Sequence, residues 1–140
     1  MTILDTNVVS ELMATSPSHA VLARLAKGRT ADEFFITTIT VAEILYGIEL
    51  LPMGKRRDKL SADVEGMFEQ DYEARILAFD EPSARAFATL AAARRNMGRP
   101  IAQLDAQIAA IASVHDATLA TRNTADFEGC GIRLVNPWVD

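Results

Sequence analysis

The chain has 140 residues, 49% of them hydrophobic, and a formal net charge of −5 at pH 7. That length and apolar share suit one buried core, so a single domain over residues 1–140 is expected. The acid surplus excludes nucleic-acid binding through bulk electrostatics, and any such partner would have to be held locally.

Thr2-Ile3-Leu4 reads as a short apolar strand running into Asp5-Thr6-Asn7, whose polar side chains can cap a helix over Val8 to Ala14. Ser18 caps a second helix reaching Lys27, where Val21, Leu22 and Leu25 recur at helical spacing and Gly28 ends it. Phe34 to Thr37 is a buried strand. Thr40 then opens an apolar helix that runs through Glu43 to about Leu51 and stops at Pro52 and Gly54. A charged amphipathic helix spans about Arg56 to Tyr72. Ile76 to Phe79 is a strand, and Asp80 with Pro82 starts a helix ending at Met97-Gly98. An Ala/Ile-rich helix covers Ala102 or Gln103 to His115, and Thr118 to Thr121 and Ile132 to Val135 close the chain as strands. Strands alternating with helices predict an α/β fold, a parallel sheet covered on both faces.

The lone cysteine, Cys130, excludes an internal disulfide and suits a reducing compartment, the cytoplasm. Asp5 and Glu11 interrupt any leader, and no run approaches the ~18 apolar residues of a membrane span. Two basic groups, Lys55, Arg56, Arg57 and Lys59, then Arg94, Arg95 and Arg99, offer places for phosphates, although a solvated helix face is their ordinary use.

Four acids stand out. Ligands collect at the carboxyl ends of parallel strands, and Asp5 falls at such an end, as does the segment from Thr121 through Arg122 and Asn123 to Asp126. Asp105 shares a helix face with Ile108, Ala109 and Ala112, an apolar stripe on which an unpaired carboxylate is out of place. Its plain alternative is a first-turn residue favoured by the helix dipole. Glu43 can close a capping box with Thr40, yet shares the address of the other two, a helix start after a strand. Two carboxylates ~4 Å apart repel by ~4 kcal/mol at an effective dielectric of ~20, so a cluster of them calls for a hard divalent cation such as Mg²⁺ or Mn²⁺.

Ile3-Leu4-Asp5-Thr6-Asn7, the run from Thr40 to Gly47, Asp105 with Ile108-Ala109-Ala110, and Ala120-Thr121-Arg122-Asn123 with Asp126-Phe127 together resemble a PIN-domain ribonuclease of the VapC toxin type. The ending Asn136-Pro137-Trp138 is similar to the FitB-like branch. The resemblance implies a small α/β/α sandwich around a parallel sheet, with Asp5, Glu43 and Asp105 binding Mg²⁺ or Mn²⁺ and Thr6 and Asn7 in support. Family members often carry a fourth acid where this chain has Asn123, and Asp126 is its candidate substitute. The implied role is a metal-dependent endoribonuclease, the toxin of a toxin–antitoxin pair, with an RNA substrate, an antitoxin partner and a homodimeric state. Leu45, Ile48, Leu50 and Leu51 offer apolar surface for such contacts, with core packing the commoner use for most of them.

The chemistry expected of such a pocket is hydrolysis of a phosphodiester by an activated water, leaving a 5′ phosphate. Arg122 would hold the scissile phosphate or else pair with a surface acid. A route through the ribose 2′-OH would want paired histidines, but His115 lies ten residues from Asp105 and His19 has no evident partner. Two other classes fit parts of the pattern. An aspartyl phosphotransferase would use Asp5 covalently, but Asn7 and Arg122 stand where such enzymes want an acid and a lysine. A non-catalytic protein-binding module would use the acids only as helix caps.

Overall fold

A computed structural model describes all 140 residues. Five strands, β1 (Thr2–Leu4), β2 (Phe34–Thr37), β3 (Ile76–Leu77), β4 (Thr118–Ala120) and β5 (Arg133–Val135), form one sheet in the order β3-β2-β1-β4-β5, and every pairing is parallel. Seven helices connect them: α1 (Thr6–Met13), α2 (His19–Ala26), α3 (Thr38–Glu49), α4 (Lys55–Gln70), α5 (Glu81–Asn96), α6 (Gln103–Val114) and α7 (Thr124–Phe127). This is the α/β/α sandwich expected from the alternation of elements.

Successive strand residues face opposite sides, and the two cores divide accordingly. Leu4 and Ala120 pack with Val8, Val21, Ile44 and Phe68 from α1 to α4, while Ile3 and Leu119 pack with Leu90, Ile108 and Phe127 from α5 to α7. β1 is buried along its whole length, as a central parallel strand must be. No helix is long and apolar enough to cross a membrane.

Strand order fixes where a site can form. The chain runs outward from β1 through β2 to β3, then returns to lay β4 on the other side of β1. β1 and β4 therefore flank the point where the winding reverses, and the crevice beyond their carboxyl ends is where such sheets bind ligands. Asp5 follows β1 and Thr121 follows β4, and the Asp5 amide donates to the Ala120 carbonyl at 2.9 Å, so the two polar segments leave the sheet side by side.

Several sequence boundaries shift for physical reasons. α3 begins at Thr38, because Thr37, the last residue of β2, is its N-cap and accepts from the Thr40 amide at 3.2 Å. Thr40 is thus inside the helix, and Glu43 lies in its second turn. β3 keeps only Ile76 and Leu77: the Phe79 amide leaves the ladder for the Thr38 hydroxyl, and its ring packs edge-on against Phe87. The Ser18 and Asp80 caps are present, accepting from the amides of Val21 and Ser83. The short helix α7, carrying Asp126, lies in a stretch that the sequence pattern left without an element.

Candidate active site

Asp5 caps α1 and anchors the site. It is only 6% exposed, its Oδ1 accepts the Thr6 amide at 2.8 Å, and its Oδ2 accepts the Thr121 hydroxyl at 2.7 Å and the Asn7 amide nitrogen at 3.2 Å. Because the Thr121 proton goes to Asp5, its oxygen is free to accept, and it receives the Asn123 amide at 3.1 Å. Asn7 closes the circuit, its Oδ1 accepting the Arg122 amide at 3.1 Å. Thr6, Asn7, Thr121 and Asn123 therefore hold the carboxylate in one orientation using neutral donors alone.

Glu43 joins through Thr6, whose hydroxyl donates to its Oε1 at 3.0 Å and lies 3.0 Å from the buried Thr40 hydroxyl. With the Thr6 proton committed to Glu43, the Thr40 hydroxyl donates to Thr6. The capping box drawn from Thr40 and Glu43 does not form: the Glu43 side chain reaches across to α1 rather than back to its own helix start. Thr40 is the residue sequence reasoning missed here, because its role rests on a partner 34 positions away.

Asp105 stands in the first turn of α6 above Ile108, Ala109 and Ala112, all fully buried, so the predicted apolar stripe is present. No hydrogen bond holds its carboxylate, and its pKa is pushed up to about 6, first by burial and then by the charges of Asp5, Asp126 and Glu43. Burial likewise raises Asp5 against its hydrogen bonds, and raises Glu43, with Asp5 adding to it. Asp105 thus feels the other three acids at once. Asp126, exposed on α7, acts on both Asp5 and Asp105, whereas Asn123 contributes its backbone.

None of the four belongs to any of the chain's five ion pairs. Their negative charge is left uncompensated by the protein, and the donors around it are oxygens, the set that suits Mg²⁺ or Mn²⁺. No three acidic side chains converge tightly enough to cage an ion as they lie. The unrestrained Asp105 is the one with freedom to close the set. Two clefts border the acids, one of about 160 Å³ shared by Asp105, Asp126 and Arg94, the other of about 330 Å³ shared by Thr6, Glu43 and Arg56.

Arg122 pairs with no acid. Its guanidinium lies over the Trp138 ring at 5.1 Å, its carbonyl accepts the Asn136 side chain at 3.2 Å, and Asn136 in turn accepts the Trp138 amide at 2.9 Å. The closing Asn136-Pro137-Trp138 segment thus forms a platform under this arginine. Arg94, counted from sequence with a solvated basic face, is instead 4% exposed. Of Leu45, Ile48, Leu50 and Leu51, core packing takes most, as expected: Ile48 is buried, Leu45 and Leu51 are half-buried, and only Leu50 (67%) is open, beside Tyr46 (66%) and Met53 (89%).

The PIN domain family matches residues 2–129 of the chain. The VapC ribonuclease Y4jK of Sinorhizobium fredii is 38% identical over 138 residues, covering 99% of this chain and 98% of its own. Toxin FitB of Neisseria gonorrhoeae is 37% identical over 140 residues, with both chains covered in full. The crystal structure of FitAcB from Neisseria gonorrhoeae superposes with a TM-score of 0.91 at 36% identity, again over the whole of each chain.

Proposed function

Because the chain belongs to the PIN-domain family, we propose that it is the toxin of a type II toxin–antitoxin pair, a cytoplasmic endoribonuclease dependent on Mg²⁺ or Mn²⁺. The observation that carries this reading is the Asp105 carboxylate, without a cationic partner and raised by the charges of Asp5, Asp126 and Glu43, at the reversal point of the sheet. Residues 1–140 act as one nuclease domain. Asp5, Glu43 and Asp105 hold the cation and Asp126 completes the acidic set. A bound cation would supply an acidified water and neutralise charge building on the phosphate oxygens.

The chain's own residues do the rest. Thr121, Asn7 and the Thr6 amide oppose the upward push of burial on Asp5 and fix its orientation, and the Thr6 hydroxyl, itself held by Thr40, does the same for Glu43. Asp105, with a pKa of about 6, is largely ionised at neutral pH and gains most from a positive neighbour. Arg122, held over the Trp138 ring and free of any carboxylate, offers its fork to a backbone phosphate of the RNA. That gives the acidic chain the local cation its net charge requires.

In-line attack by water predicts products ending in 5′ phosphate and 3′ hydroxyl, measurable by end-labelling. Products ending in 2′,3′-cyclic phosphate would contradict the reading, since they arise from the ribose hydroxyl. In the same assay Arg122→Ala should raise KM for RNA severalfold with kcat nearly held, and reduce the salt slope of binding by about one, as for one lost phosphate contact. An unchanged KM would remove Arg122 from the site. The partners are an RNA substrate, a small antitoxin and a second copy of the chain, with the exposed Tyr46, Leu50 and Met53 as apolar contact surface.

A further inference from the structure

Arg94 is a buried cation with no anionic partner: its side chain is 4% exposed and it takes part in none of the chain's ion pairs. Burying a charge costs several kcal/mol unless hydrogen bonds replace its water. Here they do. Nε donates to the Arg99 carbonyl at 2.8 Å, and Nη1 donates to the Asp126 carbonyl at 2.8 Å and to the Cys130 Sγ at 3.5 Å. Those acceptors lie on two stretches, the turn between α5 and α6 that leads to Asp105, and the α7 segment that carries Asp126 and runs on to Cys130.

The packing around the stem points the same way. Gly129 has φ +80°, and a Cβ there would meet the Met97 methyl at 3.0 Å and the Arg94 Cδ at 3.6 Å, so the chain after α7 is laid directly on the end of α5. Asp126 offers Arg94 its peptide oxygen and keeps its carboxylate clear. An ion pair there would quench the acid; a carbonyl contact fixes the backbone and leaves the charge available. The guanidinium holds its Nε and Nη1 donors at fixed angles in one plane, whereas the three donors of an ammonium rotate on a flexible stem and fix no such geometry.

We propose that Arg94 is a positioning residue for Asp105 and Asp126, tying the entry of α6 and the α7 segment to one point at the end of α5. This rests on the reading of those acids as part of the cation-holding set. Cys130, the only cysteine, reports on the tie directly, because its sulfur is one of the three acceptors.

The test compares wild type, Arg94→Met, Arg94→Lys, Asp126→Asn and the Arg94→Met/Asp126→Asn double variant. Two quantities are read: the reaction rate of the native thiol with a disulfide reagent in metal-free protein, well below the melting point, and the Mn²⁺ concentration for half-maximal RNA cleavage. Arg94→Met should speed thiol reaction at least tenfold with unchanged circular dichroism, and raise the Mn²⁺ requirement roughly 10–100-fold, as for loss of an outer partner of a metal ligand. Arg94→Lys should fall between, and should Arg94→Met not fold, it serves in its place. In the Asp126→Asn background the Arg94 change should cost clearly less than in wild type, since only Asp105 is left to misplace. A thiol that stays protected in Arg94→Met overturns the tie. A full-sized effect in the Asp126→Asn background overturns the positioning role. Wild type that neither binds Mn²⁺ nor cleaves RNA overturns the nuclease reading, while the thiol rates still decide whether Arg94 braces the segment.

Discussion

Replacing Asp5 with Asn should lower RNA cleavage about a thousandfold, because stabilisation by a bound cation is worth several kcal/mol and ~1.4 kcal/mol is tenfold in rate. The substitution is nearly isosteric, and asparagine keeps an oxygen for the Thr6 amide. On the other branch an amide nitrogen would meet the Asn7 amide and the Thr121 hydroxyl, so that hydroxyl must turn to accept and one donor loses its partner. The cost in stability is about 1–3 kcal/mol, felt as a lower melting temperature but not as loss of the fold. EDTA should abolish the wild-type activity and leave the residual rate of the variant unchanged. Single-turnover cleavage and thermal melts check both parts. A folded Asp5→Asn protein that retains more than about a tenth of the wild-type rate would exclude Asp5 as a ligand.

Asp105→Asn should act in opposite directions on activity and stability. The Asp105 carboxyl is raised from the ordinary 3.8 to about 6, so the folded chain still holds a proton that the unfolded chain has released. Below 3.8 both states are protonated and the group favours neither. As pH climbs from 3.8 to 6 the unfolded state gains from ionisation that the fold resists, so stability falls across that window and is flat above it. Asparagine resembles the protonated acid at every pH. The variant should therefore match wild type near pH 4 and exceed it above pH 6 by on the order of 1 kcal/mol in metal-free buffer, solvent around the half-exposed carboxylate screening the rest. Mn²⁺ should reverse the ranking, since it binds and stabilises only the protein that keeps its ligands. Denaturant melts at pH 4, 6 and 8 measure this, and a variant less stable than wild type at pH 8 would show that Asp105 is not repelled in the fold. Its cleavage rate should fall as for Asp5→Asn.

What the sequence revealed and what it hid divide along the distance between partners. Strand and helix alternation, the Ser18 and Asp80 caps and the apolar stripe under Asp105 all depend on neighbours within a turn or two, and each was legible. A local capping box was the alternative use for Glu43, because Thr40 stands three positions before it. The fold instead makes Thr37 the cap, since β2 remains paired with β3 up to Thr37, and gives Glu43 a hydroxyl from α1. Arg94 and Arg95 were grouped as one basic cluster, although Arg94 continues the α5 stripe of Phe87, Leu90 and Ala91; the wrapping of α7 over the end of α5 completes its burial and leaves Arg95 in water. Arg122 looked equally suited to a phosphate or to a surface acid. The Trp138 platform, built from the last residues of the chain, is what leaves its guanidinium unpaired. The acids stood out as candidates because a carboxylate on an apolar helix face calls for an explanation, while capping and first-turn roles account for Glu43 or Asp105 taken alone.

All of this depends on one ion drawing the unpaired acids together. Crystals grown with MnCl₂ and measured at the manganese absorption edge should show an anomalous peak within ligand distance of the Asp5, Glu43 and Asp105 side chains, with Asp105 turned toward it. Carboxylates left apart, with no peak among them at saturating manganese, would contradict the account.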